Sequence, residues 1–294
     1  MPHDQPVLQV TTSDGHQFEL IDCGDSSCRY TLLFLPGLGI SARHLIRFGR
    51  ALAEHNIRAL IHEWRGAGSS SLRASRTCNW GYQELLNQDL AAALDCVVEI
   101  TDGPIWIGGH SLGSQLASLM AALQPERIRG LTIVAGGTPH WRAFTGLMRI
   151  KILIAAGFFS GLSIIVGHLP GKRLGFGGQE ARSVMTNWCR TILSGRYRQP
   201  DRDANGQLVE LEQALAALDL PVLSLRMCDD GWVPQRCLDI LLSKMPDSKI
   251  TQRQLSAEQL GRTADHFGWM QAPENPACVI GNWIQQNDTS RDLR

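Results

Sequence analysis

Ile105-Trp106-Ile107-Gly108-Gly109-His110-Ser111-Leu112-Gly113 decides how the rest of the chain is read. A short apolar run from Pro104 to Ile107 leads into Gly109-His110-Ser111-Leu112-Gly113, and a helical pattern from Ser114 to Gln124 follows. This is G-x-S-x-G between a strand and a helix, the context in which the spacing carries chemistry. Glycines two before and two after the serine keep side chains out of the crossing of strand and helix. The serine is then pushed out over the carboxyl end of the sheet. The backbone N–H of Leu112, at the start of the new helix, faces any anion that forms there. By spacing alone, the same five residues also fit a glycine-rich turn that only packs, so the flanking chain has to decide.

Upstream, Val7–Thr12 and Gln17–Ile21 alternate around Ser13-Asp14-Gly15-His16, which reads as a hairpin. Tyr30–Leu35 is nearly continuous in apolar residues, as a strand covered on both faces is. It stops at Pro36-Gly37-Leu38-Gly39, and Ser41 is placed to cap a helix running to about Glu54. A strand at Ile57–Ile61, a turn-rich loop at Glu63–Ser70 and a helix at Tyr82–Val98 complete the approach to the elbow. Downstream, Ile128–Ala135 is a strand, and the alternation then breaks at Gly136-Gly137. It resumes with a strand at Pro221–Leu225, a helix from Pro234, a strand at Lys249–Leu255 and a last helix over Gly268–Gln286. Alternating strands and helices predict an α/β fold with a mostly parallel, doubly wound sheet. The core comprises 1–138 and 218–294, and 139–217 is a mainly helical cap inserted after the strand near 128–135.

A serine hydroxyl is a weak nucleophile at neutral pH. It needs a base within hydrogen-bond reach, and the base needs an orienting carboxylate. On this architecture they follow in the order serine, acid, histidine, each on a loop after a strand. Arg226-Met227-Cys228-Asp229-Asp230-Gly231-Trp232-Val233-Pro234 and Arg262-Thr263-Ala264-Asp265-His266-Phe267-Gly268 fill those two places.

With these motifs the chain, from about Val7 to Gln286, resembles the α/β-hydrolase superfamily, and among its members the cap-bearing bacterial serine hydrolases of the serine-aminopeptidase and monoacylglycerol-lipase-like group. Leu35-Pro36-Gly37-Leu38-Gly39 stands where the family has its oxyanion loop, and Trp64-Arg65-Gly66-x-Gly68-x-Ser70 matches a recurring R-G-x-G-x-S loop. Asp230-x-x-Val233-Pro234 matches the acid loop and His266-Phe267-Gly268 the base loop. The resemblance implies a triad of Ser111, Asp230 and His266, with an oxyanion hole from the N–H groups of Leu38 and Leu112. It prefers Asp230 to Asp229. Two departures stand out: Pro36 occupies a position often held by histidine, and Asp265 one often held by glycine. His110 and Arg65 are expected to pack and to tie their own loops. The reaction implied is acyl transfer through an acyl-enzyme, which uses no metal and no organic cofactor.

Composition bounds the rest. The chain has 294 residues, zero formal net charge and 44% hydrophobic residues, and nothing in that balance favours nucleic acid. Met1-Pro2-His3-Asp4-Gln5-Pro6 has no basic and apolar leader pattern, which favours the cytoplasm, and eight scattered cysteines show no zinc spacing. Between Pro139 and Pro200 there are nine basic residues against one acid, Glu180, a net +8 that leaves −8 on the remainder. Within this segment Ile152–Val166 is the most apolar run, at 15 residues short of the roughly 20 that a membrane span needs. It is expected as a helix over the site, with peripheral membrane contact as the second expectation. Trp141, Phe144, Phe158, Phe159 and Trp188 are the candidates to line or roof the pocket. A basic, apolar cap suits a small acyl or lipid-like ester, including an anionic one. Thioester hydrolysis or acyl transfer would use the same triad. An aminopeptidase would need acids to hold a substrate ammonium, and these lie just downstream at Asp201, Asp203, Glu210 and Glu212. A ligand-binding receptor on the same scaffold is the reading from another class.

Overall fold

The computed structural model describes residues 5–198, 200–202 and 208–288, so Asp203 lies outside the described residues. The chain opens with strands β1 (Val7–Thr11), β2 (Gln17–Cys23) and β3 (Tyr30–Leu35). Helix α1 (Ile46–Ala53), strand β4 (Ile57–His62), and helices α2 (Tyr82–Glu84) and α3 (Ala91–Glu99) follow, the last two joined by a π-helical stretch at Leu85–Leu90. Then come β5 (Ile105–His110), α4 (Leu112–Leu123) and β6 (Gly130–Val134). The inserted segment carries α5 (Gly146–Val166), β7 (His168–Pro170), α6 (Gly171–Leu174), β8 (Gln179–Ala181), α7 (Arg182–Ser194), β9 (Pro200–Arg202), β10 (Leu208–Glu210) and α8 (Leu211–Ala216). The chain closes with β11 (Pro221–Met227), α9 (Gln235–Leu242), β12 (Lys249–Leu255), α10 (Ala257–Leu260) and α11 (Glu274–Asp288).

Eight strands form one sheet in the order β1-β2-β4-β3-β5-β6-β11-β12. β1–β2 and β2–β4 pair antiparallel, and every later pair is parallel. The buried strand β3 shows why. Its side chains alternate, Leu33 and Leu35 facing a core with α3, α4 and α9, and Leu32 and Phe34 facing a second core with α1 and α11. The fold is therefore α/β, with helices on both faces of a mostly parallel sheet. From Ala135 to Leu220 the chain leaves the sheet and returns, because β6 and β11 are direct neighbours (Leu131 opposite Val222).

That excursion is less uniformly helical than its composition predicts, since β7–β8 and β9–β10 form two short antiparallel hairpins. Its last helix, α8, packs on α4, with Leu211 and Leu215 buried in the main core. The Ser41 cap is replaced as well. The Ser41 hydroxyl donates to Glu63 Oε2 (2.7 Å), and Glu63 Oε1 accepts from the Ala42 N–H (3.2 Å), so a carboxylate from the loop after β4 closes the helix end. The final helix starts late, with a 3-10 turn at Gly268–Gln271 ahead of α11.

Arg65 ties its loop to the hairpin turn and to the π-helical stretch ahead of α3. Its guanidinium is buried, donating to both Asp89 oxygens (2.6–3.1 Å) and to Asp14 (2.6 and 3.2 Å). His16 joins the cluster through Asp89 (3.0 Å) and Ser70 (2.8 Å). The Arg65 hydrogen bonds hold the Asp14 carboxyl well below the usual carboxylate range.

His62 sits deeper, against Phe18 (ring centroids 4.8 Å) and Trp64 (4.7 Å), and burial lowers its pKa to about 3. In the unfolded chain the same imidazole titrates near 6.5. Its neutral folded form is therefore free of penalty above that value. As pH falls from about 6.5 toward 3, the unfolded state binds a proton that the folded state refuses, and stability drops. Over that window His62 contributes a slope of about 1.4 kcal/mol per pH unit. His62→Phe is expected to flatten the pH dependence of urea-unfolding free energy between pH 6 and pH 4 by roughly that slope. An unchanged slope would mean that His62 is protonated in the fold.

Candidate active site

Ser111 stands between β5 and α4 with φ +54° and ψ −118°, a conformation that costs a non-glycine residue about 1–3 kcal/mol. The neighbouring elements over-determine it. The Ser111 N–H donates to the Val134 carbonyl (3.1 Å), and its carbonyl accepts from the Ser114 N–H (3.1 Å) and hydroxyl (2.6 Å). The flanking glycines are sterically required. A Cβ on Gly109 would overlap the Gly113 carbonyl carbon, and one on Gly113 would overlap the Leu35 carbonyl oxygen.

The Ser111 hydroxyl lies 3.0 Å from His266 Nε2. His266 Nδ1 lies 2.8 Å from Asp230 Oδ2. The other oxygen of Asp230 accepts from the N–H groups of Trp232 and Val233, both at 2.9 Å, which fixes the carboxylate plane. Asp230 and His266 are buried. Asp229 turns the other way. Its carboxylate accepts from the Ala264 N–H (3.1 Å) and its own N–H donates to the Ala264 carbonyl (2.9 Å), so it anchors the histidine loop from behind. Asp265 does not face the imidazole either. It accepts from the N–H groups of Phe267 (2.9 Å) and Gly268 (2.6 Å) and caps the turn that follows.

Leu38 and Leu112 both line the cavity into which Ser111 opens. Leu112 is the first residue of α4, where N–H groups have no partner within the helix. The Leu38 loop is held by the Trp64 indole, which donates to the Pro36 carbonyl (2.8 Å). His110 braces the same loop. It is fully buried, packs against Gly37, and its Nε2 lies 2.9 Å from the His266 carbonyl oxygen. Burial, then the neighbouring His266, push its pKa well below the ordinary histidine value, so His110 is a neutral donor that positions the His266 backbone. Its place beside the serine in the sequence gives no sign of that contact.

The cavity at Ser111 has a volume of about 430 Å³. Of the aromatic candidates from the inserted segment, Phe144, Phe159 and Trp188 line it. Trp141 and Phe158 do not. Trp141 lies under the guanidinium groups of Arg142 (5.0 Å) and Arg149 (5.7 Å), and Phe158 points outward from α5. The wall they leave is made by Phe176, stacked on Phe159 (4.6 Å) and near Trp188 (5.4 Å) and Trp232 (6.3 Å). Trp232 and Phe267 form the rim beside His266. Their adjacency in sequence to Asp230 and His266 was the available signal. Phe176, in a glycine-rich stretch, offered none. An outer cleft of about 560 Å³ shares Met148, Trp232, His266 and Phe267 with this cavity and adds Asp229, Arg262 and Asp265. Among the described residues no group of three or more His, Cys, Asp or Glu side chains is placed to hold a metal ion.

A family model for the alpha/beta hydrolase fold matches residues 30–160. A pimeloyl-[acyl-carrier protein] methyl ester esterase of Salmonella heidelberg is 30% identical over 236 residues, covering 76% of this chain and 84% of that protein. Among solved structures, a carboxylesterase study of Nitrososphaera gargenis yields a chain with TM-score 0.65 and 17% identity, covering 97% of this chain and 100% of that one. Haloalkane dehalogenase DbeA from Bradyrhizobium elkani superposes with TM-score 0.65 and 16% identity, covering 98% of this chain and 100% of its own. At such identities the two structures establish the fold alone, and their differing chemistries leave the reaction to the site. The fold, the strand order and the esterase relative agree: the chain belongs to the α/β-hydrolase superfamily.

Proposed function

We propose that the protein is a serine hydrolase that cleaves the carboxylic ester of an acyl or lipid-like substrate. The observation that carries this is the hydrogen-bonded series from Ser111 Oγ to His266 Nε2 (3.0 Å) and from His266 Nδ1 to Asp230 Oδ2 (2.8 Å), built on a strained elbow. In this reading His266 takes the Ser111 proton as Oγ forms a bond to the acyl carbon, and the carbonyl electron pair moves onto oxygen. The N–H groups of Leu38 and Leu112 hold that oxyanion, each worth on the order of 100-fold or more in rate. When the carbonyl re-forms, the alkoxide leaves with the proton from His266, and an acyl-Ser111 ester remains. A water deprotonated by His266 then attacks the ester, and Ser111 recovers its proton. Asp230 keeps the imidazole in the tautomer with hydrogen on Nδ1 and stabilises the imidazolium.

The cavity wall supports an acyl group as the part bound. Leu38, Ile40, Ile152, Phe159, Phe176 and Trp188 present hydrocarbon, and Lys151 is the cation among the lining residues. Its volume, near 430 Å³, is in the range of small-ligand sites. Among the described residues no carboxylate lines the inner cavity, and the acids of the outer cleft, Asp229 and Asp265, accept backbone N–H groups, which weighs against the aminopeptidase reading. Glu180, half-buried beside an adjoining pocket, accepts from the Gly178 N–H (2.7 Å), and burial pushes it above the usual carboxylate range. The esterase activity in the name of the Salmonella relative is in line with the ester reading.

The test is a chain-length series of aryl esters and acyl thioesters, run beside a fluorophosphonate probe. Labelling is expected at Ser111, with kcat/KM rising about fourfold per methylene until the cavity is filled. A protein that resists the probe yet binds acyl ligands would be a receptor on this scaffold. Faster turnover of thioesters than of matched esters would move the substrate class.

A further inference from the structure

We propose that the outer face of α5 is a docking surface for an anionic lipid bilayer. The side chains it buries fully are Ala156, Ser160 and Ser163, with Ile152, Phe159 and Leu162 partly buried beside them. Six other large apolar side chains face outward, with Leu147, Ile150, Ile154, Phe158, Ile164 and Ile165 between 54% and 70% exposed. Steps of three and four residues set them in one stripe along the whole helix, about 27 Å at 1.5 Å per residue. Gly157 and Gly161 lie in the same stripe, with open space where a Cβ would stand. Single exposed apolar residues are ordinary on protein surfaces, whereas a continuous stripe marks an interaction site.

The charge around the stripe selects the occupant. α5 contains no acid, and the segment from Pro139 to Pro200 carries the net +8. Arg142 and Arg149 lie at the start of the helix. Arg76 lies at its end, where its guanidinium donates to the Ile165 carbonyl (2.5 Å). Cations at both ends of an apolar stripe suit an interface with lipid tails inside and anionic headgroups outside. A second copy of the chain would set this basic surface against itself. An acidic protein would complement the cations but would meet six hydrocarbon side chains that offer no hydrogen bond. Spanning is disfavoured by the opposite side of α5, where Ile152, Ala155 and Phe159 line the cavity and Phe159 stacks on Phe176. Pulling the helix into a bilayer would unroof that cavity.

The stripe also adjoins the cavity mouth. Met148 and Leu174 are exposed and line the cavity at once. A further consequence rests on the serine-hydrolase reading: an acyl chain passes from the lipid layer to Ser111 along the apolar side chains of Met148, Leu174, Ile152 and Phe159. Docking itself is independent of that reading, and its test uses Ser111→Ala protein so that no vesicle is consumed.

Flotation is run with phosphatidylcholine vesicles and with phosphatidylcholine/phosphatidylglycerol vesicles, at low and raised salt. Binding is expected to the phosphatidylglycerol vesicles and to weaken with salt. Ile150→Asp/Ile154→Asp, at two exposed positions outside the cavity lining, is expected to lower partitioning by about 100-fold. The independent pair Phe158→Asp/Ile165→Asp gives the same readout should the first misfold. In the Ser111 background, turnover of a soluble short-chain aryl ester is expected to be unchanged by either pair, which separates loss of docking from loss of chemistry. No binding to anionic vesicles, or binding that survives both double substitutions, would overturn the proposal. So would light scattering that finds a dimer dissociated by the same substitutions.

Discussion

Ser111→Ala is expected to lower kcat by at least 10⁴-fold while the melting temperature stays within a few degrees of the parent protein. The two halves of that result have separate causes. Turnover is lost because the hydroxyl at 3.0 Å from His266 is the nucleophile, and a methyl group cannot form the acyl ester. Stability is kept because the elbow is held by backbone groups. The Ser111 N–H still donates to Val134, its carbonyl still accepts from Ser114, and alanine meets the same positive φ that serine already tolerates. One partly buried hydrogen bond is removed, worth about 1 kcal/mol at most. His266→Ala should be similarly inactive, and the double variant no slower than either single one, because the two groups act as a unit. Rates of aryl-ester cleavage and thermal melts check both parts. A folded Ser111→Ala protein with parental turnover would place the nucleophile elsewhere.

The parts of this site that were legible in the sequence are those set by short-range chemistry. Gly109 and Gly113 are demanded by a crossing only five residues long, and the acid loop follows β11, which is buried along most of its length. The preference for Asp230 over Asp229 came from the D-x-x-V-P spacing to Val233-Pro234, and the structure gives it a physical basis: Asp230 turns toward His266 and Asp229 toward the Ala264 backbone. What was not legible depends on which way a helix faces. Along α5 every side is apolar or small, so periodicity could not separate Phe159, which lines the cavity, from Phe158, which faces outward. Trp141 lies under two arginines nearby in the chain and packs against the cluster that includes Ala156 and Trp188 without lining the cavity, a placement the local sequence does not encode. The Glu63 cap at Ala42 and the buried Arg65–Asp89 pair depend on residues more than 20 positions apart, which no local pattern records.

Asp230→Asn is expected to reduce kcat by roughly 10⁴-fold, whereas Asp229→Asn should stay within about tenfold of the parent enzyme. The difference follows from hydrogen-bond direction. Oδ1 of Asp230 accepts two backbone N–H groups, from Trp232 and Val233. In the asparagine variant only the amide oxygen can accept, so it takes that place and the NH₂ group is turned toward His266 Nδ1. The imidazole must then accept at Nδ1 and carry its hydrogen on Nε2, the atom that faces Ser111. A ring in that tautomer cannot take the serine proton, so the loss falls on kcat with little change in KM. At Asp229 the demand is opposite. Its carboxylate accepts a single N–H, from Ala264, and the oxygen of asparagine can do the same. The backbone bond from the residue 229 N–H to the Ala264 carbonyl survives the substitution. The histidine loop therefore keeps its anchor and the triad its geometry. Steady-state kinetics of the two variants on one soluble ester decide the matter, since a large loss at Asp229 with a small one at Asp230 would transfer the orienting role to Asp229.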